Sequence, residues 1–503
     1  MIRPNGSPSD LAAILEATHP EWDERSNLWD ACKALYDGWP HVQTLIFRHM
    51  RESDIAFNDR QKRAYYLNFL KPIIALWIDF IFRKPVIRKP TEDPDLSEFW
   101  AHAGRKGEPI GPLMAEASRM AQVFGDTPVL VDMPRVNRAP QSEAERIEMK
   151  LRPYICPLDA RQLRNWALDE EGRLKWARII ERSADSTGPL DSRGDEEVVL
   201  YRTFTRDEWM LHRVVTPKGK AKLAEPIAGG THDLGIVPIA MLYGAKRQSG
   251  DFRGYPVVND MSRANLAIMN WCSLLDESNY QQALPILHGE RAGDETANSP
   301  IVTGIFNVLW RDRGTQAWGY IERPTASLDL ILKQLDKLTD EIFREARLGG
   351  NFMSSRPTQV PSGEALAWEF NETNQALAEK ADQAEACEIE IHRIFGRWLS
   401  KGENWIVEID YPEEFGVEDF LTKVRSLSEA AKETWSQTAK REAQKQIVRR
   451  MFPKVDKVLL AQMEAEIDEG EDELVDFSAL KDEMDEKMKY PKKDETNAGE
   501  SGE

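Results

Sequence analysis

Cysteine is scarce in this chain of 503 residues, and the four present, Cys32, Cys156, Cys272 and Cys387, show neither CxxC spacing nor a metal-ligand pattern with histidine. That excludes a disulfide-stapled scaffold and a zinc ribbon, and leaves free buried thiols in a reducing compartment as the expectation. Long hydrophobic runs are missing too. The most apolar stretch, Tyr66 to Ile87, is broken by Lys71, Pro72, Asp79 and Arg83, so it is too short to span a bilayer. It reads as a buried helix starting near Pro72 and ending before Pro85, and no membrane association is expected. The opening MIRPNGSPSD has no apolar core of a signal peptide.

The common catalytic signatures are absent as well. No G-x-x-x-x-G-K-[ST] loop occurs; Gly229-Gly230 runs into Thr231-His232 without the lysine that would reach a phosphate. No HExxH occurs, and His19, His41, His49, His102, His212, His232, His288 and His392 are scattered, which fits solvated or core-satisfied rings better than a metal site. There is no G-x-S-x-G elbow; Ser362 stands where it would cap a following helix. Carboxylate pairs such as Glu171 with Glu181, or Glu408 with Asp410, carry no information among 85 acidic residues. The expectation is a protein that is not an enzyme, with no catalytic residues, no cofactor and no metal.

What is present is a large acidic protein. The chain is 41% hydrophobic and 30% charged, and its length suggests two or more domains at about 150 residues each. Trp22, Trp29, Trp39, Trp77 and Trp100 lie among apolar neighbours, where core packing is their expected use. Of the net charge of −19, −11 falls on Glu464 to Glu503. An acidic surface argues against a protein that grips nucleic acid by its phosphates, but not against one past which DNA slides. Two basic sets, Arg83/Lys84/Arg88/Lys89 and Arg441/Lys445/Arg449/Arg450, read as solvated helix ends.

Periodicity divides the chain. Helices are expected near Leu28 to Tyr36, Val42 to Met50, Asp59 to Leu70, Pro72 to Phe82 and Ile110 to Val123, with a charged insertion from Gln141 to Lys150. A β-rich layer follows: Thr127 to Asp132, a hairpin of Gln162 to Ala167 and Leu174 to Glu181 about the turn Asp169 to Gly172, then Val198 to Thr205, Glu208 to Val215 and Ile236 to Tyr243. The helical period returns from Tyr255 to Leu284, and Pro285 to Ile321 is a small excursion of short strand-like runs. After Trp405 to Asp410, helical segments run from Glu418 to Ile467, and beyond Asp476 charge dominates.

Pro324 to Leu399 is the most legible stretch. Leu328, Ile331, Leu335, Leu338 and Ile342 recur at alternating spacings of three and four, which predicts a helix with a narrow buried seam. Gly349-Gly350, after Arg344 and Arg347, predict its stop. A break rich in Gly, Ser and Pro precedes a longer helix in which Leu366, Phe370, Leu377, Ala381, Ala384, Ile391, Ile394, Phe395 and Trp398 keep helical spacing.

In order, these pieces resemble a tailed-bacteriophage portal protein, the head-tail connector ring at one capsid vertex. The likeness is carried by YLNFLKPIIALWIDFIFRKPV, RPYICPLDARQLRNW, VVNDMSRANLAIMNWCSLLDESNYQQALP, WGYIERPTASLDLILKQLDKLTDEIF and PSGEALAWEFNETNQALAEKADQAEACEIEIHRIF, over roughly residues 30 to 400. No single motif is diagnostic; the ordered set is.

The resemblance implies an α+β, predominantly helical fold with wing, stem, clip and crown. Residues 1–255 and 362–417 would form the wing, 256–284 and 327–348 the two stem helices, 285–326 the clip, 418–476 a helical crown, and 477–503 an acidic disordered tail. Residues 349–361 would be the tunnel loop, presenting Gly349, Gly350, Asn351, Ser354, Ser355, Arg356, Thr358 and Gln359 to double-stranded DNA in the channel. It further implies a homo-oligomeric ring, usually a dodecamer, in the virion, assembled in the host cytoplasm. Its partners would be terminase, a head-tail connector or adaptor, and the major capsid and scaffolding proteins, and its tasks DNA packaging and ejection. The competing readings are an acidic, Trp-rich hydrolase of glycosidase type and a scaffolding protein that forms no ring.

Overall fold

The structure is a computed structural model that describes residues 8–50, 52–90, 93–134, 145, 151–182, 197–216, 222–247, 250–283, 286–290, 308–311, 319–321, 326–348, 363–401, 405, 407–413, 415, 441, 444–445, 448 and 457–469. It divides into a unit of Met1–Phe415 and a second of Gly416–Glu503. Helix and sheet are mixed.

The first unit opens with six helices among the described residues: α1 (Pro8–Glu16), α2 (Pro20–Asp37), α3 (Asp54–Arg63), α4 (Leu70–Ile81), α5 (Pro94–Ala101) and α6 (Ile110–Phe124). Their starts follow the capping residues: the Ser53 hydroxyl accepts from the Ala56 N–H, and the Asp93 carboxylate from Asp95 and Leu96. Helix α4 buries Leu70, Ile73, Ile74, Trp77, Ile78 and Ile81 at helical spacing and is the centre of the largest core.

Three expectations fail here for one reason. No helix spans Val42 to Met50, where only a 3-10 turn at Gln43–Leu45 forms, and α3 ends at Arg63 rather than Leu70. Polar side chains distant in sequence take up these backbones. Asn270 Oδ1 accepts from the Phe47 N–H at 2.8 Å, Arg60 donates to the Phe47 carbonyl, and Asn265 bridges the Leu67 carbonyl and the Phe69 N–H. Arg88, expected on a solvated helix end, lies instead on strand β1 (Ile87–Lys89), with its guanidinium paired to the fully buried Glu388. Trp29 and Trp77 are core residues, whereas Trp39 is 43% exposed.

Strand β2 (Asp126–Asp132) is buried at every position and lies between β3 (Tyr154–Pro157) and β9 (Ile239–Tyr243), both antiparallel to it. Val129 and Val131 face the main core and Leu130 faces a second cluster with Leu163, Trp166, Ile179 and Phe204, the alternation that a strand buried on both faces requires. A five-stranded antiparallel meander carries β4 (Leu163–Leu168), β5 (Leu174–Arg182), β6 (Glu197–Thr205), β7 (Glu208–Thr216) and β8 (Leu223–Thr231). The β4–β5 hairpin turns at Asp169, whose carboxylate accepts from the Glu171 and Arg173 N–H groups. Strand β8, which holds Gly229 and Gly230, has a composition of Pro, Ala and Gly that hides it from a strand pattern.

The chain then crosses itself. Gly125 at φ +93 lies against Gly254 so closely that a Cβ on Gly254 would stand 2.1 Å from the Gly125 carbonyl oxygen. Beyond the crossing come α7 (Asn259–Ala283), the strands β10 (Ile286–Glu290), β11 (Val308–Arg311) and β12 (Gly319–Ile321), then α8 (Ala326–Glu345), α9 (Gly363–Trp398) and β13 (Glu408–Asp410), which pairs antiparallel with β1. In the second unit the described residues include α10 (Lys457–Glu469), and Lys445 there pairs with Asp468 at 2.7 Å.

Candidate assembly hairpin

Helices α7 and α8 pack on each other, and each is rooted in the main core by one end. From α7 and its approach, Val258, Met261, Ile268, Met269 and Cys272 are buried there; from α8, Ile342, with Ala346 and Leu348 just beyond it. The start of α7 is thus beside the end of α8. Burial, with the nearby Asp260 of α7 adding to it, raises the pKa of the Glu345 carboxyl at the end of α8. At 25 and 20 residues the helices are roughly 37 and 30 Å long. Between them the chain makes a three-stranded sheet in the order β11-β10-β12, with β11 parallel and β12 antiparallel to β10.

Along α8, Leu328, Ile331, Leu335 and Leu338 are half-buried and Ile342 is fully buried, while Asp329, Lys333, Asp336 and Lys337 are exposed. Two leucines break that division: Leu330 is 68% and Leu332 48% exposed. The helix does not stop at its expected glycines. Arg347 adopts the left-handed conformation at φ +53, its N–H donates to the Arg344 carbonyl at 3.0 Å, and the Leu348 N–H reaches back to Phe343 at 3.0 Å. This Schellman closure satisfies the last carbonyls two residues before Gly349. The Thr373 hydroxyl of α9 then donates to the Arg347 carbonyl at 2.5 Å and anchors the turn. Gly349, Gly350, Asn351, Ser354, Ser355, Arg356, Thr358 and Gln359 all lie outside the described residues, as do most of 418–476 and all of 477–503.

A strap of polar contacts holds the hairpin to α3, and none of it was marked by the sequence. The Arg60 side chain is only 2% exposed; it donates to both Glu52 oxygens at 2.8 and 2.7 Å and to Ser273 Oγ of α7 at 2.8 Å. Those hydrogen bonds hold Glu52 below the usual carboxylate range. One turn on, Arg63 pairs with Glu277 and stacks over the Tyr280 ring at 4.2 Å. The strap fixes a surface on which Phe47, Met50, Ile55, Trp271, Leu274 and Tyr280 are exposed. Exposed apolar side chains on these neighbouring elements make the face a candidate for contact with a partner. A single interior polar residue, Arg60, would have been the one available signal, because an arginine among Phe57, Ala64 and Leu70 must find partners.

The long helix α9 is fastened separately. Glu388 on it receives Arg88 at 2.5 and 3.1 Å and the Tyr411 hydroxyl at 2.6 Å. One turn later His392 accepts from the Trp100 indole N–H at 2.8 Å, with its other ring nitrogen 2.8 Å from the Glu388 carbonyl. The ring is therefore neutral with its proton on Nδ1, and burial depresses its pKa.

Among the described residues no His, Cys, Asp and Glu side chains gather into a metal-binding group, and no helix is long and apolar enough to cross a membrane. No family model matches the chain. No curated protein matches it. Among solved structures, a chain described as the neck of an empty GTA particle computed with C6 symmetry is similar at 12% identity, with a TM-score of 0.39, covering 74% of this chain and 87% of that one.

Proposed function

We propose that this chain is a non-enzymatic portal subunit that assembles into a ring and serves as a conduit for double-stranded DNA. The observation that carries the reading is the hairpin: two antiparallel helices, rooted in one core by neighbouring ends, with a small sheet between them and a long helix after them. In this reading α7 and α8 are the stem, β10 to β12 belong to the clip, and α1 to β9 with α9 make the wing. The segment 349–361 is the tunnel loop, and 418–476 the crown.

The loop composition suits the task. Gly349 and Gly350 free the backbone, Asn351, Ser354, Ser355, Thr358 and Gln359 offer neutral polar groups, and Arg356 is its one cation. A duplex passes such a lining without the counterion release that makes basic surfaces bind tightly. A closed ring needs two different complementary patches on each subunit, and exposed Leu330 and Leu332 with the α3–α7 surface supply apolar area for them. Terminase and a head-tail connector would dock on the clip side, and capsid and scaffolding proteins around the wing.

Light scattering on the purified full chain tests this. A mass of many subunits, reduced by Leu330→Asp or Leu332→Asp in a chain that keeps its circular dichroism, supports the ring. A monomer at all concentrations contradicts it.

A further inference from the structure

A cavity of about 510 Å³ opens beside β2, β3 and β6, away from the hairpin, and is lined by Gly104, Arg105, Asp132, Met133, Pro134, Arg152, Tyr154 and Arg202. Its volume lies in the range that takes a small organic ligand. We infer that it binds a phosphoester, held by the guanidinium groups of Arg105 and Arg152 beside the charge of Arg202.

Three observations point to an anion. Arg202 has a side chain only 12% exposed; it gives one nitrogen to Asp132 at 3.0 Å and another to Glu181 at 3.1 Å, yet its Nε is buried with no hydrogen-bond partner. A buried donor left unmet is costly. Arg105 is exposed and has no carboxylate partner among the described residues; its charge acts on Tyr154 and Cys156. Arg152 is tied to Glu98 at 2.6 Å, but that carboxylate is 56% exposed, and a pair so screened by solvent is readily exchanged for a stronger one.

The carboxylates on the site do not cancel this. Asp132 and Glu181 are both turned to Arg202, and Asp132 also receives the Tyr154 hydroxyl at 3.3 Å. Burial pushes the Tyr154 phenol up to about 12, so it stays a neutral donor rather than a second anion. What remains for a ligand is Arg105, without a carboxylate partner among the described residues, and the exchangeable Arg152, with the enclosed Arg202 adding its charge from behind. Planar guanidiniums match phosphate oxygens in pairs, as a lysine cannot. The space exceeds a bare phosphate, which favours a phosphoester with an organic or second phosphoryl part. A free phosphoester and a nucleic-acid backbone present the same chemistry.

Isothermal titration of the full chain with inorganic pyrophosphate, a nucleoside diphosphate and a short DNA duplex tests the site. Arg105→Gln and Arg152→Gln lie outside the core, so circular dichroism should match the parent, and Arg119→Gln on α6 is a control. The expected result is saturable binding of at least one probe, weakened about tenfold or more by each of the first two substitutions, as loss of a charge-assisted hydrogen bond requires, and unchanged by the third. Dependence on Arg105 seen with the duplex alone assigns the phosphate to nucleic acid; with pyrophosphate or the nucleotide, to a free phosphoester. No binding of any probe, or binding that both substitutions leave unaltered, overturns the inference. The site is independent of ring assembly, so neither result bears on the portal reading.

Discussion

Arg253 and Asp126 form an ion pair in which neither side chain has any exposed surface, with Nη2 2.8 Å from Oδ1 and Nε 3.0 Å from Oδ2. Two further guanidinium donors go to the Ala160 and Leu163 carbonyls, the Trp29 and Trp166 rings flank the cation at 4.6 and 5.1 Å, and the Gly254 N–H donates to the carboxylate at 2.7 Å. The pair sits where the chain crosses itself at Gly125 and Gly254, and it joins the helical start, the central strand and the meander.

Removing one member strands the other. Arg253→Met is expected to lower stability by about 3–5 kcal/mol, the usual cost of an uncompensated buried charge, and urea unfolding followed by tryptophan fluorescence measures it. A loss below about 1 kcal/mol would show that water reaches the site.

Lys380 of α9 predicts an alkaline effect. Its ammonium is enclosed, donating to Gln122 Oε1 at 2.8 Å and standing 4.5 Å from the Trp77 ring centre, and burial brings its pKa down to about 8 from an ordinary 10.5. The unfolded chain then holds more of this one proton than the folded chain between those values, so the Lys380 contribution to stability should rise with pH from about 8 to about 10.5, by up to about 3 kcal/mol, against the fall expected from buried Cys387 and Tyr243, whose pKa values burial raises. In Lys380→Met the slope across that window should become more negative than the parent's by the lysine contribution; a slope equal to the parent's contradicts the assignment.

His392 predicts the acid side. Because its folded pKa lies below 6.5, the unfolded state takes up the proton first, and stability should fall as pH drops below 6.5 through the folded value. Protonation also ends the hydrogen bond from Trp100. His392→Gln should flatten this part of the profile in thermal unfolding, and an unchanged acid slope would place its origin elsewhere.

How much of this was legible in the sequence depended on distance along the chain. The α8 seam, the β4–β5 hairpin and the burial of α4 are local patterns, and periodicity alone located them. What escaped was set by partners far away: Arg88 finds Glu388 300 residues later, and the backbone near Phe47 is held out of a helix by Asn270 and Arg60. Strand β8 escaped because Gly229 and Gly230 pack on Trp209, which no alternation reveals. The candidate surface was half visible: Leu330 and Leu332 fall off the seam in the sequence, but the strap from Arg60 and Arg63 that fixes the adjoining face required three dimensions.

For the proposed tunnel loop, deletion of Asn351 to Gln359 should leave the subunit assembly intact, since α8 is already closed by Arg347 and α9 anchored by Thr373. DNA packaging or retention should fall. Normal packaging by the deletion, measured as protected DNA per particle, would remove the loop from the channel.

The central claim is that this chain builds a ring around DNA, and negative-stain electron microscopy of the purified full chain tests it most directly. The account predicts rings with a central channel wide enough to pass duplex DNA. Isolated compact particles without a channel, at concentrations where the protein is soluble and folded, would contradict it.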